Sequence, residues 1–306
     1  MILCCGESLI DMLPRVTTEG QQAFVPYGGG TIFNAVIALG RLGVPAGFYS
    51  GISTDMFGEI LTRALTESRV DFSLATRSDR PTTLAFVKLV DGQASYAFYD
   101  ENTAGRMILP EDIPVTPNNI EAFFFGGICL VNDPGASSFA AFQARVSQNH
   151  VTMLDPNIRP GLVRDETDYR ARIDAMIARA DIVKLSDADL HWMRGPGDMV
   201  TLARGLVAEG PSLVFVTEGN TGSRAVTRSK DRFVPARKIP VADTVGAGDT
   251  FSAAVLASLR KAGALTKSAL TDPSDSLLDE ALAFGNRAAA VTVSRPGADP
   301  PWDHEL

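Results

Sequence analysis

The chain has 306 residues, 45% of them hydrophobic and 21% charged, and 28 Lys plus Arg against 36 Asp plus Glu leave a net charge of −8. This balance describes one large globular domain or two unequal ones that fold without disulfides or structural metal, and it excludes a disordered chain. The acidic surplus argues against nucleic acid as a partner, no apolar run approaches the roughly 20 residues of a membrane span, and the start lacks the basic region of a signal peptide. A cytoplasmic protein acting on small molecules is expected.

In chain order, residues 2–5 read as an apolar strand with Cys4 and Cys5 on opposite faces. Residues 34–41 read as a helix and 47–50 as a strand. Phe57, Ile60, Leu61, Ala64 and Leu65 then share one helical face. Apolar runs at 122–125, 152–154, 182–185 and 213–216 read as strands, with helical stretches at 137–147, 169–180 and 200–208 between them. The βαβ alternation predicts a parallel sheet covered on both faces, with ligands beyond the carboxyl ends of its strands. Two segments break the pattern. Residues 12–27 are short, mixed and turn-rich, and 82–100 read as a hairpin around Asp91-Gly92. Together they predict a small antiparallel sheet inserted into the α/β body, whose open face covers a ligand or a second subunit. The body is then 1–11, 28–81 and 101–306, and the lid 12–27 and 82–100. Cys4, Cys5 and Cys129 lack C-x-x-C spacing, and His150, His191 and His304 are scattered. Buried reduced thiols are expected, and a zinc site is not.

The most informative stretch is Asp243-Thr244-Val245-Gly246-Ala247-Gly248-Asp249, running into a helix expected over 249–260. Small residues at such a turn let backbone N–H groups converge on an anion at the helix N-terminus. Asp249 beside it is placed to accept a hydroxyl proton. Read alone, the same residues equally describe a glycine turn with an N-cap Asp. Gly28, Gly29 and Gly30 permit close approach by a ligand. Asn34 offers both donor and acceptor to sugar hydroxyls. Asp11, placed at the end of the first strand, can accept from two hydroxyls. A structural turn, a helix-starting Asn and a solvated Asp are the plain alternatives. Asp155-Pro156-Asn157-Ile158-Arg159-Pro160 is a stiff loop after a central strand, where Arg159 meets a sugar oxygen, a phosphate or only water.

The 243–249 run resembles the carboxyl-terminal signature of the ribokinase-like (PfkB-type) carbohydrate kinases. The stretch from Gly29 to Gly43, with Gly51-Ile52-Ser53-Thr54-Asp55-Met56-Phe57-Gly58 after it, is similar to their amino-terminal signature. The resemblance covers essentially the whole chain and is nearest the bacterial fructokinase branch, which the 155–160 run shares with 2-keto-3-deoxygluconate kinases. It implies a ribokinase-like sandwich with helices on both faces and a small β lid. The implied reaction is ATP-dependent phosphorylation of a hexose hydroxymethyl group, with Asp249 as base and Gly246, Ala247 and Gly248 as the anion hole. Asp11, Gly29, Gly30, Asn34, Tyr96, Phe98, Arg106 and Arg159 would hold the sugar. Lys184, Ser186, Thr217, Gly219, Gly222 and Asn286 would hold ATP. Ser186 and Asp189 stand where relatives use an Asn and a Glu to organise Mg2+ through water, so the carboxylate here is shorter. Asp243 and the Val245 carbonyl, with the loop around Gly297, would hold K+. A homodimer through the lid also follows from the resemblance.

Fructose is preferred to the sugar acid as acceptor because Asp100 and Glu101 follow the aromatic pair where sugar-acid kinases tend to place Arg. Arg106 and Arg159 stand against that argument. A rival of another class is a catalytically silent sugar- or nucleotide-binding regulatory module, which an intact Asp249 opposes. A nicotinamide enzyme is excluded because Gly6-Glu7-Ser8-Leu9, not G-x-G-x-x-G, follows the first strand.

Overall fold

The computed structural model describes residues 1–90 and 93–306, with the side chains of 87–96 left outside that description. The Asp91-Gly92 turn and the Tyr96 side chain therefore fall outside the described residues. β1 (Ile2–Gly6) is followed by the hairpin of β2 (Leu9–Val16) and β3 (Gln22–Gly29). Then come α1 (Thr31–Arg41), β4 (Ala46–Tyr49), β5 (Gly51–Ser53), α2 (Met56–Glu67) and β6 (Thr76–Ser78). β7 (Leu84–Val90) and β8 (Gln93–Tyr99) pair antiparallel. The alternation continues through β9 (Ala122–Gly126), α3 (Gly135–Val146), β10 (Val151–Asp155), α4 (Glu166–Ile177), β11 (Ile182–Ser186), α5 (Asp187–Arg194), α6 (Met199–Glu209) and β12 (Leu213–Thr217). β13 (Gly222–Val226), β14 (Asp231–Pro235), α7 (Ala247–Lys261), α8 (Lys267–Thr271) and α9 (Asp275–Val293) complete the order.

Among the described residues the large sheet has eight strands, ordered β14-β13-β12-β11-β10-β9-β1-β4. From β12 to β4 every pair is parallel, while β13 and β14 run antiparallel at one edge. Its central strands are covered on both faces, so they read as unbroken apolar runs: Phe123, Phe124 and Phe125 are all fully buried. Cys4 joins the core under α1, α7 and α9, and Cys5 joins the opposite core under α3, α4, α5 and α6. All three cysteines are free and buried. No helix of the described residues is long and apolar enough to cross a membrane.

The small sheet is ordered β3-β2-β7-β8. Its outer pairs are antiparallel, but β2 and β7 pair in parallel, so the sheet is mixed rather than antiparallel as expected. Both strands leave the body in the same direction, and Ile10 N–H donates to the Thr83 carbonyl at 2.9 Å where they spring from it. The sheet takes in residues 9–11 and 28–29, which the sequence assigned to the body. Asp11 consequently lies in β2 and does not end β1. Asp55 anchors the second crossing. It caps α2 through Phe57 N–H and Gly58 N–H, and also accepts from Thr82 N–H at 2.9 Å and the Thr82 hydroxyl at 2.7 Å.

A strap over residues 295–302 crosses from α9 to the end of α1. Arg41 donates to the Pro300 carbonyl at 2.8 Å and pairs with Asp299. Trp302 packs against two guanidiniums, 5.4 Å from Arg41 and 5.3 Å from Arg69.

Candidate active site

The strands of the large sheet bring their carboxyl ends to one level: Gly6 stands opposite Gly126, and Gly126 opposite Asp155. α1 begins there at Gly30, whose φ of 107° suits glycine. Glu7 accepts the Thr31 N–H at 2.7 Å and so holds the start of α1. One turn on, Asn34 Nδ2 donates to Asp249 Oδ2 at 2.9 Å, across 215 residues of chain. The two signature segments therefore meet in space.

α7 begins from Gly246, at φ 78°. A Cβ there would lie 2.7 Å from that of Ala298, so the strap leaves room only for glycine. The first N–H groups of α7 have no intrahelical partner and add to the positive end of the helix dipole, which makes this turn an anion site. Asp249 stands beside it and is buried. Desolvation pushes its carboxyl up to about 7; the Asn34 bond opposes this, the Asp155 charge adds to it, and Lys184 and Arg159 pull it back. A carboxylate tuned in this way suits general-base work near neutrality.

Asp11 lies against Gly29, at the entry to α1. A Cβ on Gly29 would lie only 2.1 Å from Asp11 Oδ2. Burial raises Asp11 to about 6, and the Arg159 guanidinium draws it down. Arg159 is exposed and donates to the carbonyls of Asn157 at 3.3 Å and Ile158 at 3.1 Å. Its charge reaches both Asp11 and Asp249. Asp11, Gly29, Gly30, Asn34, Arg159, Gly246, Ala247, Gly248 and Asp249 are thus brought to one place.

Beneath them lies a contact the sequence reading missed. Lys184 Nζ pairs with Asp155 Oδ2 at 3.0 Å, at side-chain exposures of 2% and 0%. The Ser252 hydroxyl donates to the same oxygen at 3.2 Å. The available signal was Lys184 itself, a charge inside the apolar run Ile182-Val183-Lys184-Leu185, which demands a buried partner. Lys184, expected to touch ATP, is sealed from solvent and meets the site through Gly248.

Other expected contacts serve the fold. Ser186 and Asp189 close a capping box on α5: Asp189 N–H donates to Ser186 Oγ at 3.0 Å, and Ser186 Oγ donates to Asp189 Oδ2 at 2.7 Å. The other oxygen, Asp189 Oδ1, accepts the Ile158 N–H at 3.0 Å. The Asp189 carboxylate thus caps α5 and holds the 155–160 loop, whatever it adds to the metal role expected of it. Thr217 and Gly219 belong to the β12–β13 hairpin, where Thr217 faces Ser223. Gly222 is required by packing, since a Cβ would lie 2.4 Å from the Val234 carbonyl oxygen. Asn286 accepts from the Ser223 hydroxyl at 2.8 Å and donates to the Val234 carbonyl at 2.9 Å. It fastens α9 to β13 and β14, and it is also the residue expected at adenine.

Asp243 accepts from Val245 N–H at 3.1 Å and Gly297 N–H at 3.0 Å, drawing the glycine turn and the strap together. Among the described residues no cluster of three or more His, Cys, Asp or Glu is arranged to hold a metal ion. Phe98 and Arg106 line a cleft of about 520 Å³, with Leu84, Asp100, Asn132 and Arg164. Arg106 Nε donates to the Asp133 carbonyl at 3.1 Å. Asp100, expected to face the acceptor, is gripped by the hydroxyls of Thr83 at 2.8 Å and Thr103 at 3.1 Å. Burial raises its pKa, against the pull of those two bonds.

Known proteins are similar to this chain in sequence and fold. A profile described as pfkB family carbohydrate kinase matches residues 1–305. The chain is 51% identical over 267 residues to a fructokinase of Rhizobium leguminosarum bv. trifolii, covering 87% of this chain and 82% of that protein. It is 30% identical over 298 residues to a fructokinase of Klebsiella pneumoniae, covering 96% and 95%. Among solved structures, the fructokinase of Xylella fastidiosa with bound ATP superposes with a TM-score of 0.86 at 28% identity, covering 97% of this chain and 93% of that one. The two signatures meet at Asn34 and Asp249, and the family profile spans the sheet, the inserted strands and the strap alike: the chain belongs to the pfkB family of carbohydrate kinases.

Proposed function

We propose that this chain uses ATP to phosphorylate the terminal hydroxymethyl group of fructose. The observation that carries the reading is the Asn34–Asp249 hydrogen bond, which sets a sugar-type ligand and a near-neutral base beside a helix N-terminus. The hydroxymethyl oxygen bonds to the γ-phosphorus as its proton passes to Asp249, and the bond from phosphorus to the departing ADP oxygen breaks. The N–H groups of Gly246, Ala247 and Gly248 receive the charge of the transferring group. Asp11, Gly29, Gly30, Asn34 and Arg159 hold the sugar, and the nucleotide lies towards the 217–222 hairpin. Mg2+ bound with the nucleotide would supply positive charge against that of the transferring phosphates, with Asp189 the carboxylate the sequence offers to organise it through water.

Fructose is favoured because the relatives at 51% and 30% identity are fructokinases. Asp11 and Asp249 add two carboxylates that a sugar acid would face. Asp100 adds less than its position in the sequence implies, because Thr83 and Thr103 already hold it. With ATP saturating, kcat/KM for fructose should exceed that for 2-keto-3-deoxygluconate. A preference for the acid overturns the assignment, and sugar binding without ATP consumption supports the silent module.

Asp243 fits a monovalent cation, since its hard oxygens stand where two loops converge. K+ held there with the Val245 carbonyl would stiffen the glycine turn. Turnover should be higher in potassium than in matched tetramethylammonium buffer, and equal rates overturn the idea. The mixed small sheet acts as a lid in this reading. It carries the exposed side chains Phe24 and Tyr99, both against Phe86, which a second copy would cover in a homodimer. Sedimentation at micromolar concentration tests this, with a monomer as the contrary result.

A further inference from the structure

We propose that the buried Lys184–Asp155 pair is a positioning device for phosphoryl transfer, placing a fixed cation behind the start of α7. It rests on the kinase reading above. Three observations carry it. The pair is closed off from water, with Nζ to Oδ2 at 3.0 Å. Lys184 Nζ lies 3.0 Å from where a Cβ on Gly248 would stand. Gly248 lies inside the first turn of α7, so the ammonium reaches the start of that helix. Ser252, further along the same helix, donates to Asp155 at 3.2 Å and ties the pair to the element that carries Asp249.

Stability is a poor reason to keep such a pair. Apolar residues of similar volume often serve a protein core as well or better, while a single partner left alone is costly. What the pair supplies is charge at a chosen place. The ammonium lies on the inner flank of the helix start, behind the N–H groups that face the incoming phosphoryl, where a low dielectric makes it felt. Asp155 holds it there. The groups bearing on Asp249 are Asn34 from α1, Asp155 from β10, Lys184 from β11 and Arg159 from the loop after β10. Asp155 raises the Asp249 pKa, and the other three lower it.

The test compares Lys184→Met/Asp155→Leu, Lys184→Arg and Asp155→Asn with the wild type. The double variant removes both charges together, so it should unfold within a few degrees of wild type. Its turnover at saturating fructose and ATP should fall at least tenfold, with the KM for fructose changed less than threefold because Asp11, Gly29 and Arg159 are untouched. Lys184→Arg keeps the cation and should retain more turnover than the double variant. Asp155→Asn removes a like charge near Asp249, so the acid limb of kcat/KM should move to lower pH. A double variant with wild-type stability, turnover and pH profile overturns the inference. A wild type inactive on fructose overturns the functional reading alone. The pair is then judged by calorimetry with ATP: affinity at least fivefold weaker in the double variant supports it, and equal affinity overturns it.

Discussion

Asp249 holds on to its proton once buried, and this couples its chemistry to stability. Its folded pKa of about 7 lies above the unfolded carboxylate value near 3.9. The folded state therefore binds the extra proton between those values, and stability falls as pH rises through that window. Asp249→Asn should raise the unfolding temperature relative to wild type at pH 8, with the gap closing towards pH 4. The same variant should lose about 10²–10⁴-fold in turnover while still binding sugar. A variant with near-normal turnover would mean that another group is the base. Asn34→Ala removes a donor that lowers the Asp249 pKa, so the acid limb of the rate profile should move to higher pH and the sugar KM should rise. Asp249 and Asn34 were legible in the sequence because each sits in a long signature with its own chemistry. Asn286 and Asp189 carry structural bonds that were not foreseen. Asn286 binds the Val234 carbonyl 52 residues away and Asp189 the Ile158 N–H 31 residues away, and no linear pattern announces partners so far along the chain, whereas the Ser186–Asp189 capping box is local.

Helix α7 is the element on which the reading turns, and its start is the most constrained point. Gly246→Ala would force a non-glycine residue to φ 78° and press its Cβ on Ala298. Left-handed strain alone costs roughly 1–2 kcal/mol. Displacement of the strap should lower turnover further than that loss of stability explains, which thermal melts and saturating kinetics on one preparation would separate. Ser186→Ala should remove the α5 cap and cost about 1 kcal/mol, with a smaller effect on turnover than Gly246→Ala. The alternating strands and helices were legible because double-sided burial writes continuous apolar runs such as Phe123-Phe124-Phe125. α5 and α8 were not, being only 8 and 5 residues long. The parallel join of β2 to β7 escaped as well, because pairing across the intervening chain leaves no local signal.

At the scale of the molecule the strap closes a circuit. α1 meets α7 at Asn34 and Asp249, α7 meets the strap at Gly246 and Ala298, and the strap returns to α1 at Arg41. Arg41→Ala opens that circuit at the end of α1. The loss of a partly exposed ion pair and its carbonyl bond should lower the melting temperature by about 2–4 °C. If the circuit holds the glycine turn, the potassium concentration for half-maximal activation should rise as well. An unchanged potassium response would confine Arg41 to stability.

The Asn34–Asp249 bond also has a meaning in time. Its partners lie 215 residues apart. At about 5–20 residues per second, a ribosome finishes α1 on the order of 10–40 s before it delivers α7. Throughout that wait Ile32, Val36 and Leu39 lack part of the core that buries them in the finished protein. The half-made chain is therefore sticky and inert together, and a nascent-chain chaperone would find its target in α1 until α7 arrives.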